Sequence, residues 1–129
     1  MKNKDSKFSF GERLKSFKYS FNGLKILFRE EHNSRIHLTT AIIVIGVSIL
    51  FEIEKSEWLA IILSIGLVFS FEIINSSIEN LCDFISPEKH QAIKKIKDLS
   101  AAAVFVSTLT ALIVGFIIFI PKLFHLVTS

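Results

Sequence analysis

The chain has 129 residues, of which 50% are hydrophobic and 21% charged, and its formal net charge is +3. This length allows one domain, and the low content of glycine and proline excludes a disordered or collagen-like chain. The single cysteine, Cys82, excludes an intramolecular disulfide framework and a zinc site built from cysteines. A half-apolar composition suits soluble and membrane proteins alike, so the positions of the charges must distinguish the two classes.

The first 35 residues are basic, with nine Lys or Arg against four Asp or Glu, a net charge of +5. Apolar residues recur every three or four positions from Phe10 to Phe28, which predicts one apolar helix face, and the other faces carry Lys and Arg. We predict an amphipathic helix over about residues 8–33. Its basic character favours the surface of an anionic membrane over packing against protein. No nucleic-acid-binding motif accompanies these charges, so no nucleic acid partner is expected.

Three apolar segments follow this helix. Runs without Asp, Glu, Lys or Arg occupy residues 36–51, 58–71 and 99–120. A helix needs about 20 apolar residues to cross the hydrocarbon core of a bilayer. We predict a single membrane domain over residues 1–129, with transmembrane helices at 36–53, 57–82 and 99–120. The alternative, a small soluble helical bundle, is disfavoured by the length of the third run.

The charges between the predicted helices indicate an orientation in the membrane. Segment 52–57 has a net charge of −2, whereas segment 83–98 has +1 and the first 35 residues have +5. Because positively charged loops stay in the cytoplasm, the N-terminus and segment 83–98 are expected there. Segment 52–57 and the C-terminus are expected on the outside.

The second predicted helix carries a polar stripe within FEIINSSIENLCD, residues 71–83. A helix turns by about 100° per residue, so the spacing of the members of this stripe puts them all on one narrow face. They are Glu72, Asn75, Glu79 and Asp83. An ionisable side chain inside a membrane helix costs roughly 3 kcal/mol, so this face must contact protein, water or metal. Such a stripe could serve only to hold an oligomer together, but two glutamates and an asparagine this close favour a functional site.

The predicted topology brings further charges to the same cytoplasmic level, from Glu31 before the first transmembrane helix and from Lys97 and Asp98 at the start of the third. Carboxylates are hard oxygen ligands that suit Mg²⁺, which commonly binds one or two of them together with substrate phosphates. Lys97 near a helix N-terminus would attract a phosphate, although it could equally form a capping pair with Asp98. The sequence has no P-loop, protein-kinase or HExxH motif. The residues alone therefore predict a metal- and anion-binding site near the cytoplasmic headgroups.

The same residues carry a resemblance to a known family. EIINSSIENLCD, followed by a loop with His90, by KD at 97–98 and by SAAAV, resembles the prokaryotic diacylglycerol kinase family, which includes undecaprenol kinases. Upstream, FKYSFNG and EEHNSRIHL resemble the surface helix of that family and the start of its first transmembrane helix. The resemblance covers about residues 10–122. It implies an all-α integral membrane protein of the bacterial inner membrane, with three transmembrane helices and a surface helix, assembled as a homotrimer with active sites shared between subunits.

The resemblance also implies an activity, which is phosphoryl transfer from ATP, with Mg²⁺, to the hydroxyl of a membrane lipid. The product would be phosphatidic acid from diacylglycerol or undecaprenyl phosphate from undecaprenol. By matched motif position, Glu72 would be the general base, and Asn75 and Lys97 would contact the transferred phosphate. Glu31 and Glu79 would bind the metal. Positions near the nucleotide match Lys15, Tyr19, Asp83, His90, Lys97 and Asp98.

The resemblance does not decide whether the acceptor lipid is diacylglycerol or undecaprenol, although EEHNSRIHL and the C-terminal IIFIPK look somewhat closer to the undecaprenol-type branch. Two functions from other classes compete with the lipid kinase. Membrane glutamates also suit a small proton-coupled transporter, but such sites usually lie near the bilayer midplane between repeats, and the sequence has no repeat. The third hypothesis is a non-enzymatic membrane scaffold, in which the stripe only fixes the packing of subunits.

Overall fold

A computed structural model describes residues 9–88 and 90–129, and within these ranges the ordered elements are all helical. The elements are α1 (Phe10–Glu30), α2 (His32–Leu50), α3 (Lys55–Ile85) and α4 (Gln91–Thr128). Helices α2, α3 and α4 are each long and apolar enough to cross a membrane. The predicted fold class, an all-α membrane protein with three spanning helices after an amphipathic one, is confirmed. The predicted start of α1 at residue 8 lies outside the described residues.

Helices α3 and α4 extend beyond the apolar segments that predicted them at 57–82 and 99–120. They contain 31 and 38 residues, so at 1.5 Å per residue they measure about 46 and 57 Å. Both exceed the hydrocarbon thickness of about 30 Å. Helical hydrogen bonding does not depend on hydrocarbon, so the helices continue into the polar regions that flank it. Pro121 lies inside α4, where it removes one backbone donor without ending the helix.

Helices α1 and α2 meet at Glu31, which has extended backbone angles and terminates one helix while it begins the other. The guanidinium of Arg35 donates hydrogen bonds to the carbonyl oxygens of Phe28, at 2.7 Å, and of Arg29. Carbonyl groups in the last turn of a helix lack helical partners, so Arg35 caps α1 from the first turn of α2. This contact fixes the junction, and α2 therefore begins four residues before the predicted residue 36.

The end of the bundle near the loop between α2 and α3, opposite the α1–α2 junction, is held by a polar contact and an apolar cluster. The backbone N–H of Glu54 donates to the Glu57 carboxylate at 3.0 Å, an interaction that caps the start of α3. The same carboxylate lies 3.1 Å from the Lys122 ammonium, which ties α4 to α3. Beside them lies a cluster of buried apolar side chains, Ile53, Ile61 and Ile118.

Helices α3 and α4 form the most extensive interface, whereas α2 contacts α3 more locally. Small residues lie at the buried positions of these helices, where they allow close approach; they include Ala41, Ser48, Ser64 and Ser107. Large apolar side chains cover the outer surfaces, as expected of helices whose solvent is lipid.

Helix α1 contacts the bundle at its C-terminal end. Leu27 is buried there, and the Phe28 ring packs edge-on against Phe69 of α3, with ring centroids 5.9 Å apart. The preceding apolar side chains of the same face, including Phe10 and Phe17, are more than 60% exposed. This part of α1 therefore presents an apolar face that other described residues do not cover, which is the face that the sequence analysis places against lipid.

Candidate active site at the polar stripe of α3

The N-terminal end of the polar stripe of α3 faces the interior of the bundle. The stripe becomes exposed toward the C-terminus of the helix. Glu72 is buried, with 4% of its surface exposed, while Asn75 and Glu79 are half-buried and Asp83 is exposed. Glu79 lies about 10 Å along the helix axis from Glu72, and Asp83 about 16 Å from it. The stripe thus connects the buried part of the bundle with its polar end.

Two side-chain contacts between α2 and α3 fix two of the acids. The Ser76 hydroxyl donates to Glu31 Oε1 at 3.0 Å, and His37 Nε2 lies 3.0 Å from Glu72 Oε1. Each contact engages one oxygen of a carboxylate and leaves the second oxygen of that carboxylate for another partner. Ser76 lies one helical turn after Glu72 on α3, so the two contacts place Glu31 and Glu72 along the same face of that helix.

Within the part of the chain that the structure describes, three buried side-chain oxygens have no hydrogen-bond partner: Ser34 Oγ, Asn75 Oδ1 and Ser100 Oγ. Buried polar groups are nearly always hydrogen-bonded, so unpaired ones need an explanation. Each of these residues lies one helical turn from a predicted site residue, with Ser34 near Glu31 and Ser100 near Lys97. The unpaired groups therefore offer hydrogen-bonding capacity where a ligand is predicted to bind.

A cavity of about 430 Å³ lies where α3 ends and α4 begins. Four residues that were predicted near the nucleotide line it together, namely Asp83, His90, Lys97 and Asp98. Two ion pairs border it, from Lys97 to Asp83 at 2.5 Å and from Lys94 to Asp98 at 2.7 Å. An ammonium group has three N–H donors, so Lys97 can contact Asp83 and still donate to a phosphate.

The other two residues predicted near the nucleotide do not line this cavity. Lys15 and Tyr19 lie on α1 and are exposed, and 70% of the Tyr19 surface is accessible. His90, in contrast, has a local structural role as well, because its Nδ1 accepts a hydrogen bond from the Ala92 N–H at 3.2 Å and caps α4.

An apolar groove of about 450 Å³ runs between α2, α3 and α4. Its walls are mostly aliphatic and aromatic; they include Val44, Ile61, Leu112 and Phe116. His37 and Phe69 line the same groove, so it reaches the side chain that contacts the Glu72 carboxylate. Glu72 itself does not line the groove and is connected to it through His37.

The predicted metal ligands, Glu31 and Glu79, approach each other from the start of α2 and from α3. Glu79 lies within electrostatic reach of Glu31 and of Lys97. Among residues 9–88 and 90–129, no group of three or more His, Cys, Asp or Glu side chains is arranged to hold a metal ion. A pair of carboxylates fits Mg²⁺, which commonly takes one or two of them and completes its octahedron with water and substrate phosphates.

No role was predicted from the sequence for His37, Ser34 or Ser100. The distance of His37 from the loop between α2 and α3 did carry a signal. Two antiparallel helices joined by a short loop place residues that are equally distant from the loop at the same level. With the loop centred near residue 52, this rule places His37 opposite residues 67–68, about one helical turn before Glu72. For the two serines the sequence holds no comparable signal, since small polar residues are common in membrane helix interfaces.

Comparison with known proteins identifies the family. Residues 18–119 match the sequence profile of prokaryotic diacylglycerol kinase. The chain is 36% identical to an undecaprenol kinase of Bacillus subtilis over 123 residues, which cover 95% of this chain and 100% of the relative. It is 32% identical to a diacylglycerol kinase of Synechocystis, over 88% of this chain and 65% of the relative. A diacylglycerol kinase of Haemophilus influenzae is 34% identical, over 73% of this chain and 80% of the relative.

The resemblance seen in the motif is thus confirmed over most of the chain, and with it the expectation of an enzyme that phosphorylates lipid. A kinase of this kind uses a nucleotide phosphate donor, and the transporter and scaffold hypotheses are not favoured. The chain belongs to the prokaryotic diacylglycerol kinase family and is a membrane lipid kinase.

Proposed function

We propose that this kinase transfers the γ-phosphate of ATP to the hydroxyl of undecaprenol at the cytoplasmic face of the membrane, giving undecaprenyl phosphate. The observation that carries the proposal is the buried Glu72 carboxylate, which contacts His37 of the apolar groove and shares its helix stripe with Asp83 of the polar cavity. A lipid alcohol needs the groove for its tail, and a nucleotide needs the charged cavity.

Glu72 acts in this proposal as the general base. Its carboxylate accepts the proton of the lipid hydroxyl while the hydroxyl oxygen forms a bond to the γ-phosphorus. The bond between the γ-phosphorus and its bridging oxygen breaks, and ADP leaves with the electron pair. Asn75 and Lys97 contact the transferred phosphoryl group, whose charge is spread over its oxygens. The unpaired Asn75 Oδ1 supports this role, because a 180° turn of the amide places either an acceptor or a donor at this position.

Glu31 and Glu79 are the residues that would hold Mg²⁺, and their oxygen donors fit this hard cation. When bound, the ion would neutralise charge on the phosphates of the nucleotide. The contact from the Ser76 hydroxyl to Glu31 supports the assignment, since ligating carboxylates are commonly held by a second hydrogen bond. Lys15 and Tyr19 on α1 stay as proposed nucleotide contacts, together with the residues that line the cavity.

The choice of undecaprenol over diacylglycerol is supported by the match to the Bacillus subtilis undecaprenol kinase, which extends over that entire protein. Purified protein supplied with labelled ATP and equal amounts of both lipids should label undecaprenol at least about tenfold faster. A tenfold ratio corresponds to about 1.4 kcal/mol of differential transition-state binding. Equal or faster labelling of diacylglycerol would contradict this acceptor and leave the kinase assignment intact.

We also propose that the N-terminus lies in the cytoplasm of a bacterial cell and the C-terminus outside, as the distribution of positive charge indicates. In a Cys82→Ser background, Ser129→Cys should react with a membrane-impermeant maleimide added to whole cells. Asn22→Cys, on the exposed side of α1, should react after the cells are broken. The reverse pattern of labelling would contradict the orientation and move the site to the outer face, away from cytosolic ATP.

The proposed assembly is a homotrimer with active sites shared between neighbouring subunits. Its support is the family resemblance together with the large apolar side chains exposed on all three spanning helices, which can face either lipid or another subunit. Within one chain, Glu31 already contacts Ser76, and Glu72 already contacts His37. Neighbouring subunits would therefore complete the surroundings of these acids rather than orient them.

A further inference from the structure

His37 contacts the carboxylate that is proposed as the general base. Its Nε2 lies 3.0 Å from Glu72 Oε1, and the two side chains are 22% and 6% exposed. Within the described residues, no other hydrogen bond or ion pair to the Glu72 carboxylate is found. His37 lies in the second turn of α2 and Glu72 in the C-terminal half of α3, so the contact joins two separate helices.

The chemistry of this contact determines which oxygen of Glu72 can react. While Glu72 is ionised it only accepts hydrogen bonds, so the facing Nε2 must carry a proton, whether the imidazole is neutral or charged. The hydrogen bond therefore occupies Oε1 and leaves Oε2 as the oxygen that can accept a substrate proton. It also fixes a side chain with three rotatable bonds, and general-base catalysis requires the base within hydrogen-bond reach of the proton that it removes.

The apolar groove adjoins this contact. His37 lines it together with Phe69, so the residue that holds Glu72 also borders the space proposed for the lipid. We propose that His37 is a positioning residue, which donates a hydrogen bond to Glu72 Oε1 and so aims Oε2 at the hydroxyl of a lipid alcohol in the groove. This inference rests on the proposed function, because it assumes that Glu72 is the base.

Three substitutions at His37 separate positioning from simple packing. His37→Leu and His37→Asn should lower kcat about 10- to 100-fold, since leucine has no donor and asparagine is too short, while KM for ATP and for lipid changes less than about twofold. His37→Gln should restore kcat to within about fivefold of wild type, because its amide nitrogen reaches as far as Nε2. His125→Leu, at the exposed C-terminal end of α4, is the matched control and should match wild type.

The double variant Glu72→Gln/His37→Leu should be no slower than Glu72→Gln alone, because positioning has no effect once the base is gone. Wild-type kcat in folded His37→Asn, or an additive loss in the double variant, would overturn the positioning role while the kinase proposal stands. If His37→Leu fails to fold, His37→Asn and His37→Gln carry the same comparison. A wild-type protein that phosphorylates no lipid would overturn the proposed function, and the role of His37 with it.

Discussion

Replacing Glu72 by glutamine should lower phosphoryl transfer about 10³-fold, because an amide cannot accept the proton of the lipid hydroxyl. The substitution preserves the size of the side chain, and the amide oxygen can still accept the hydrogen bond from His37. The neutral amide is also easier to bury than the charged carboxylate. We therefore expect a folded protein that binds ATP and lipid but does not turn over, as measured with labelled ATP on purified protein.

Glu52→Gln is a suitable control for this experiment. It removes the same charge from an exposed position between α2 and α3, at the opposite end of the bundle from the site. It should leave turnover unchanged, and thermal unfolding should show that both variants are folded. Wild-type turnover in Glu72→Gln would contradict the assignment of the base.

The second large effect is expected at the proposed metal ligands. Loss of a group that merely supports a ligand commonly costs 10–100-fold in metal affinity, so loss of the ligand itself should cost at least about 100-fold. Glu79→Gln and Glu31→Gln should each raise the Mg²⁺ concentration for half-maximal turnover by at least this factor. Ser76→Ala should raise it only about tenfold, because Ser76 acts through its hydrogen bond to Glu31.

Glu30→Gln provides a closely matched comparison, because it neutralises the neighbouring carboxylate, which is exposed and lies in α1. Its Mg²⁺ dependence should equal that of wild type, measured by titrating Mg²⁺ at saturating ATP and lipid. Glu31→Gln and Glu79→Gln variants with a wild-type Mg²⁺ requirement but a weakened oligomer would instead support the scaffold role of the stripe.

Periodicity within single helices was sufficient to predict much of this molecule. The spacing of Glu72, Asn75, Glu79 and Asp83 predicted one face, and the structure buries that face at Glu72 and exposes it at Asp83. The apolar face of α1 was likewise predicted from spacing. The helix ends were less accurate, because hydrophobic runs indicate where hydrocarbon begins, whereas helix ends depend on local caps such as the Arg35 contacts at the end of α1.

Contacts between helices were harder to predict, since a short loop indicates the relative level of two helices only to within about a turn and does not indicate their rotation. The pairs Ser76 with Glu31 and His37 with Glu72 depend on how α2 slides and rotates against α3. The family resemblance supplied roles for Glu31 and Glu72 but not the side chains that orient them. Those partners became visible only with the packed helices, and they explain how two acids on different elements can be held at one site.

The most direct test of the lipid kinase account is transfer of the labelled γ-phosphate of ATP to lipid by the purified protein in the presence of Mg²⁺. We expect a labelled lipid phosphate that forms with wild-type protein, requires Mg²⁺ and is lost with Glu72→Gln. A folded wild-type protein that labels neither undecaprenol nor diacylglycerol would contradict it, most clearly if the same protein catalysed ATP-independent flux driven by a pH gradient in proteoliposomes.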